Sequence, residues 1–150
     1  MALFDFIKNA GHKLFGMGKE VLNDQQKAQK LQEHLQSLNL GIANPQVRVQ
    51  GDKVALLGES TSQEAVEKAI LALGNVNGIS QVETQIAQDK ASAFYTVKSG
   101  DTLSKIAKEV YGNVNGYMRI FEANRPMLKH PDEIYPGQKL RIPGAQAKAA

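Results

Sequence analysis

The spacing of apolar residues predicts short helices that alternate with short strands. Apolar residues recur at helical intervals from Asp24 to Asn39, which predicts a first helix over this stretch. The larger apolar residues Val47 and Val49, then Val54 and Leu56, occupy alternate positions on either side of Gly51-Asp52. Two alternating runs around a Gly-containing pair predict a β-hairpin with a tight turn.

A second helix and a further strand follow the hairpin. Thr61 and Glu64 form a capping-box pattern ahead of a new apolar period, and Gly74 is the expected stop. Ile79 opens a further predicted strand, in which Val82, Thr84 and Ile86 alternate with polar residues. The order helix, hairpin, helix, strand predicts an α+β module with its helices on one face of a small sheet.

Residues 2–15 also carry apolar residues at helical spacing, and we expect a short amphipathic helix there. Its apolar face would consist of Leu3, Phe6, Ile7, Ala10 and Leu14. A helix that lies on a membrane surface usually carries several lysines on its polar face, but this one has only two. We therefore expect the segment to pack on the module that follows.

The last third of the chain has a different order of elements. A strand around residues 95–97 precedes a helix that starts at Leu103, with Asp101 as the expected N-cap and Gly112 as the stop. A second short helix is predicted over 117–124, and a strand around 140–142 ends the module. This order is β-α-α-β.

Composition excludes several classes of function. The 150 residues include 18 Lys and Arg against 15 Asp and Glu, without a basic run, so nucleic acid is not an expected partner. Cysteine is absent, which excludes disulfides and thiolate sites. The three histidines, at positions 12, 34 and 130, lack metal-ligand spacing. With no catalytic set, export signal or membrane-length apolar run, we expect a non-enzymatic, cytoplasmic protein without stable membrane insertion.

Two strings near the C-terminus closely resemble the LysM domain, and the preceding region resembles the BON domain. The LysM strings are residues 94–103 and 134–143, and the BON resemblance covers 24–87, with glycine marks at Gly51, Gly58 and Gly74. The expected fold is α+β, a BON module followed by a β-α-α-β LysM module. The expected divisions are an N-terminal segment (1–22), BON (23–87), a linker (88–93), LysM (94–143) and a flexible tail (144–150).

The LysM resemblance implies a carbohydrate groove between two loops. It would bind polymers of N-acetylglucosamine such as peptidoglycan, although the same loop residues also form the turn and helix cap of the fold. The implied groove residues are Ser99, Gly100, Asp101, Thr102, Ile134, Tyr135, Pro136 and Gly137.

An N-terminal segment, a BON module and a LysM module in this order resemble a family of small bacterial potassium-binding proteins. Strings such as Leu3-Phe4, Ser62–Ala65 and Ile120–Asn124 carry this resemblance. It implies a potassium ion, K⁺, held by backbone carbonyls. By position these belong to Ile7, Lys8, Ala10, Gly74, Val76 and Ile79.

The residue types at those positions agree with a monovalent ion. Calcium and magnesium sites generally recruit carboxylates, and no Asp or Glu occurs among the implied ligands. Helix ends also leave carbonyls without partners, and both segments lie at predicted helix ends. Without the resemblance, Gly74 and Gly78 would be read simply as the end of a helix and the start of a strand.

Three hypotheses of function therefore remain open. The first is a monomeric, cytoplasmic potassium-binding protein that serves as a sensor or in adaptation to stress. The second is an adaptor of the cell envelope that binds peptidoglycan through LysM and phospholipid through BON. The third is a scaffold with no ligand of its own.

Overall fold

The structure is a computed structural model that describes residues 2–8, 11, 22–60, 62–86 and 93–143. These residues form two sheets and four helices, so the predicted α+β class with two successive modules is confirmed. In chain order the elements are β1 (Ala2–Asp5), α1 (Asp24–Leu38), β2 (Ala43–Gln50), β3 (Lys53–Glu59), α2 (Gln63–Gly74), β4 (Gln81–Thr84), β5 (Ala93–Thr96), α3 (Leu103–Tyr111), a 3₁₀ helix (Val114–Gly116), α4 (Tyr117–Ala123) and β6 (Lys139–Ile142).

The first module, which ends at residue 86, is built on a four-stranded sheet in the order β1-β4-β3-β2. Strands β2 and β3 form the predicted antiparallel hairpin, and Gly51 takes a φ of 66° in its turn. Helix α2 connects β3 to its parallel neighbour β4. Strand β1, from the start of the chain, lies antiparallel to β4 and occupies the sheet edge beside it.

The predicted N-terminal helix is wrong for residues 2–5, which form strand β1. Phe4 and Phe6 are half-buried, whereas Leu3 and Asp5 are exposed, so the segment alternates with period two. So short a segment satisfies strand and helix spacing equally well, and the backbone groups of β4 select the strand. Residues 6–8 are not helical either, and residues 9, 10 and 12–15 of the predicted helix lie outside the described residues.

Each module has its own apolar core. In the first, Leu31 and Leu35 of α1 and one face of α2 cover the sheet residues Val54, Leu56 and Val82. The second module (residues 93–143) packs α3 and α4 around the antiparallel pair β5–β6. Of the predicted linker, residues 88–92 lie outside the described residues, and position 93 begins β5.

Two helix caps differ from the sequence prediction by one residue. Helix α2 is capped by Ser62, whose hydroxyl accepts from the Ala65 N–H, and Thr61 lies outside the described residues. Helix α3 is capped by Thr102 instead of Asp101. Ser, Thr and Asp are all good N-caps, so adjacent candidates are resolved only by how the chain enters the helix.

Helix α2 is buried on two sides, which sets it apart from the other helices described. One face belongs to the first core, while Leu71 and Ala72 line crevices shared with Met127 of the second module. On the same side, Glu67 is fully buried and its carboxylate lies 2.7 Å from Nε of Arg141 in β6. We call this contact between α2, with Asn75 after it, and β6 the inter-module seam.

None of the helices in the described parts of the chain combines the length and apolarity needed to cross a bilayer.

Candidate functional site

The N-terminal segment crosses directly over the loop that follows α2. The Phe6 N–H donates to the Ser80 carbonyl at 2.8 Å, and the Lys8 carbonyl accepts from the Gly78 N–H at 2.7 Å. At Gly11 the backbone comes so close that an added Cβ would lie 2.7 Å from the Asn75 carbonyl carbon. The two segments that the family resemblance implies for the ion site are therefore neighbours.

Among the implied ligands, the carbonyls of Lys8 and Val76 already accept one hydrogen bond each. Lys8 accepts from Gly78, and Val76 accepts from the Ile79 N–H at 3.1 Å. A carbonyl oxygen has two lone pairs, so this one hydrogen bond does not prevent either carbonyl from binding an ion as well. Gly74 is the last residue of α2. The N–H of Gly78, four residues further along the chain, donates to the Lys8 carbonyl.

The remaining implied ligands differ in their surroundings. Val76 and Ile79 are fully buried, so their backbone lies in a protected part of the loop. Ile7 as a residue is 51% exposed, which suits a position whose implied contribution is its carbonyl alone. Ala10 lies outside the described residues.

Glycine is required at two points where the segments meet. A Cβ on Gly74 would lie 2.1 Å from Cζ of Phe6, whose ring packs on this end of α2. Gly11 has a φ of 118°, a conformation that L side chains rarely adopt, in addition to its contact with Asn75. Any side chain at either position would push the N-terminal segment away from the loop.

The charged groups around the site lie at its edge. Lys8 Nζ is 3.8 Å from Asp52 Oδ2, and the Ser80 hydroxyl donates to the same oxygen at 2.7 Å. The Ser80 hydrogen bond, with a smaller contribution from Lys8, lowers the pKa of Asp52 below its usual value. This carboxylate is thus already engaged in anchoring the loop.

The donor set suits a monovalent ion better than a divalent one. In the parts of the chain that the structure describes, no group of three or more His, Asp or Glu side chains is arranged to hold a metal ion. The available oxygens are neutral carbonyls, the ligand type found in potassium-selective sites. Calcium and magnesium, by contrast, are usually bound with carboxylates.

Asn75, between the implied ligands Gly74 and Val76, ties the loop to the second module. Its side-chain oxygen accepts from the Lys139 N–H, and its side-chain amide donates to the Lys139 carbonyl, both at 2.8 Å. The side chain thus pairs with strand β6 as a neighbouring strand would. Two hydrogen bonds therefore attach the loop to β6.

Lys139 also extends its side chain to the N-terminal segment. Its Nζ donates to the Asp5 carbonyl at 2.9 Å and lies 5.3 Å from the ring centre of Phe6 and 5.6 Å from that of Phe94. The Phe94 ring meets Phe4 edge to face at 5.6 Å. Burial lowers the pKa of Lys139, as expected for an ammonium group partly removed from water.

Sequence reasoning missed Asn75, Lys139 and the Glu67–Arg141 pair. No periodicity marks them, because each acts across the seam. One signal was available: the run from Ala69 to Leu73 is apolar around the whole helix, and such a helix is buried on more than one side.

The two loops implied for glycan binding do lie side by side. The Val97 N–H donates to the Gln138 carbonyl and the Gly137 N–H to the Val97 carbonyl, both at 2.8 Å, and so extend the β5–β6 ladder. Of the implied groove residues, Ser99, Gly100, Thr102 and Pro136 are exposed, and Asp101, Ile134, Tyr135 and Gly137 are partly buried.

Several of these groove residues are engaged within the fold. The Asp101 carboxylate accepts from the Tyr95 hydroxyl at 2.8 Å and from the Lys98 N–H at 2.9 Å. The Tyr135 hydroxyl points to the first module, 3.4 Å from the Asn75 carbonyl, and burial raises its pKa to about 12. The structure therefore joins the loops but directs Tyr135 toward the seam.

Comparison with known proteins assigns both modules. Residues 23–90 match the BON domain family and residues 95–143 match the LysM domain family. Over 147 residues, which cover 95% of this chain and 99% of the relative, the chain is 49% identical to the potassium binding protein Kbp of Escherichia coli O6:H1.

More distant relatives share only part of the chain. An uncharacterized protein of Deinococcus radiodurans is 38% identical over 108 residues, which are 63% of this chain and 42% of that protein. The endolysin of Bacillus phage B103 is 29% identical over 83 residues, 55% of this chain and 30% of the phage protein.

Proposed function

This chain belongs to the family of the potassium binding protein Kbp, and we propose that it is itself a non-catalytic, cytoplasmic potassium-binding protein. The observation that carries the proposal is the contact between the N-terminal segment and the loop after α2. The hydrogen bond from Gly78 to the Lys8 carbonyl and the close approach of Gly11 to Asn75 support a shared site.

The ligands we propose are the backbone carbonyls of both segments. They belong to Ile7, Lys8, Ala10, Gly74, Val76 and Ile79. Carbonyl oxygens would replace the ion's hydration shell, and because they are neutral they would give a divalent ion little extra attraction. Side-chain identity should matter little at these positions, whereas backbone direction should matter greatly.

Binding would act by holding two separate segments together. In the closed arrangement the N-terminal segment lies against the loop after α2. An ion that contacts both segments binds this arrangement more tightly than one in which they are apart, and it thereby stabilises the closed arrangement. Asn75 would transmit the ordering of the loop to β6, since its side chain already pairs with Lys139. The protein would then serve as a sensor of potassium, in adaptation to stress, through the relative order of its two domains.

Thermal melts and amide NMR titrations with potassium, sodium and calcium test this function. Potassium at millimolar concentration or below should raise the melting temperature and shift the Gly78 amide, and sodium should do much less. Deletion of residues 1–11 should abolish the response. A full-length protein that responds equally to sodium, or a truncated one that still responds to potassium, would contradict the proposal.

A matched pair of variants at Lys8 separates backbone from side chain. Lys8→Ala removes only the 3.8 Å contact with Asp52 and should keep most of the potassium response. Lys8→Pro removes an N–H and constrains the chain beside the Ile7 carbonyl, so it should lose the response. Equal behaviour of the two variants would argue against carbonyl ligands.

The envelope adaptor is the alternative, favoured by the exposure of Ser99 and Gly100 beside the loop 134–137. It would bind peptidoglycan through LysM and phospholipid through BON. Sedimentation of the purified protein with cell-wall sacculi and with phospholipid vesicles tests both contacts. Under the potassium proposal the protein stays in the supernatant in each case.

A further inference from the structure

Both halves of the proposed ion site contact one residue of the LysM domain, Lys139. Its backbone is paired with the side chain of Asn75, which lies between two proposed ligands. Its ammonium group donates to the carbonyl of Asp5 and lies over the ring of Phe6, immediately before the proposed ligand Ile7. Lys139 therefore spans the same two segments that the ion would join.

The surroundings of the ammonium group explain why it stays there. The Asp5 carbonyl supplies a direct hydrogen bond, and the faces of Phe6 and Phe94 supply cation–π attraction. The Asp5 carboxylate adds electrostatic attraction. The Phe94 ring also meets the Phe4 ring edge to face, so β1 and β5 contact each other beside the partly buried lysine.

We propose that Lys139 is a positioning residue for the potassium site, which holds the N-terminal segment and the loop after α2 at the separation that the ion requires. The proposal rests on the potassium-binding function argued above. Lys139 does not contact the ion. It reduces the conformational freedom of both segments before binding, and this raises the affinity for the ion.

Linkage makes the effect reciprocal. If the Lys139 contacts favour the closed arrangement, the ion must in turn favour those contacts by the same factor. Potassium should therefore strengthen the attachment of β6 to the first module. In this way a site made of backbone from the N-terminal segment and the BON domain would control the order of the LysM domain.

Lys139→Met tests the proposal, because methionine keeps a long apolar stem and the backbone pairing with Asn75 but removes the charge. In calorimetric titration of the full-length protein, potassium affinity should fall by about tenfold. Lys139→Arg keeps a cation that stacks on aromatic rings and should restore most of the affinity. Lys108→Met, at an exposed position of α3, is the matched control and should bind as the wild type does.

A second readout needs no ion. Without potassium, hydrogen exchange of the Gly78 amide, which donates to Lys8, should be several-fold faster in Lys139→Met than in Lys108→Met. Equal exchange rates, or an unchanged potassium affinity in Lys139→Met, would overturn the positioning role. A Lys139→Arg variant that binds potassium as weakly as Lys139→Met would also overturn the positioning role.

The two proposals fail in different ways. If the wild-type protein binds no potassium, the proposed function is wrong and this inference falls with it. If the wild type binds potassium and Lys139→Met binds it equally well, the function stands and only the role of Lys139 is wrong. If Lys139→Met lowers the melting temperature by the same amount with and without potassium, the role of Lys139 is purely structural.

Discussion

The proposed ion site and the LysM groove are assembled in opposite ways. The ion site draws on opposite ends of the first module, where Lys8 meets Gly78 and Gly11 meets Asn75. The groove consists of two loops of one domain, joined by backbone bonds that extend the β5–β6 ladder. The first should therefore depend on how the N-terminal segment and the loop after α2 are held against each other, and the second mainly on contacts within LysM.

This difference has a consequence for how each site responds to change. A site formed by distant segments is lost when either segment shifts, even if every ligand is intact. Apart from Tyr135, which points to Asn75, the implied groove is held by contacts within its own domain, such as those of the Asp101 carboxylate, and it should tolerate disturbance at the seam. The following predictions test that independence, in order of decreasing effect.

Breaking the buried ion pair should have the largest effect. Glu67→Gln removes the carboxylate that lies 2.7 Å from Nε of the buried Arg141, so the free energy of unfolding should fall by about 3 kcal/mol. Potassium affinity should fall too, because the seam loosens. Urea denaturation and ion titration measure these effects.

The control for Glu67→Gln lies on the same helix. Glu64→Gln removes a pair with Lys68 in which the glutamate side chain is largely exposed, and it should cost less than about 1 kcal/mol. Equal losses in the two variants would mean that the seam contributes little.

Gly11→Ala should disrupt the ion site with a smaller cost to overall stability. The new Cβ meets the Asn75 backbone, and the positive φ alone costs about 1–3 kcal/mol. We expect the potassium-dependent rise in melting temperature to disappear. Gly100→Ala is the control, because Gly100 also has a positive φ but lies in open space within the implied groove, and this variant should keep the full response. If Gly100→Ala also loses the potassium response, the two sites are not separate.

Asp101→Ala should affect the groove alone. It removes two hydrogen bonds, to Tyr95 and Lys98, and should lower the free energy of unfolding by about 1–2 kcal/mol. Potassium affinity should stay within experimental error of the wild type in calorimetric titration. A clear loss of affinity would show that the groove and the ion site are coupled.

The smallest effect is expected at alkaline pH. Burial raises the pKa of Tyr135 from 10.0 to about 12, so the unfolded chain ionises first and folding stability falls between these values as pH rises. Tyr135→Phe should remove this part of the alkaline loss while leaving stability near neutral pH almost unchanged. Tyrosinate absorbance and denaturation of the wild type and of Tyr135→Phe should be compared across this pH range. The difference between them isolates the contribution of Tyr135 from those of Tyr95 and Tyr111, whose pKa values are also raised.

Local patterns in the sequence determined most of the secondary structure. The helical period from residue 24, the hairpin around Gly51 and the Gly112 stop of α3 each depend on neighbours a few positions apart. Motif resemblance supplied the order of the two domains, which the comparisons confirm. It also supplied the candidate carbonyl ligands, and these stay a prediction.

Only the tertiary structure decided how the two ends of the site meet. Residues 2–5 fit helix and strand spacing alike, and the free edge of β4 selected the strand because its backbone groups needed partners. The pairs Asn75–Lys139 and Glu67–Arg141 likewise join positions far apart in the chain, and no local period encodes them. Local sequence sets the conformation of a segment, whereas its partners depend on which surfaces the folded chain brings together.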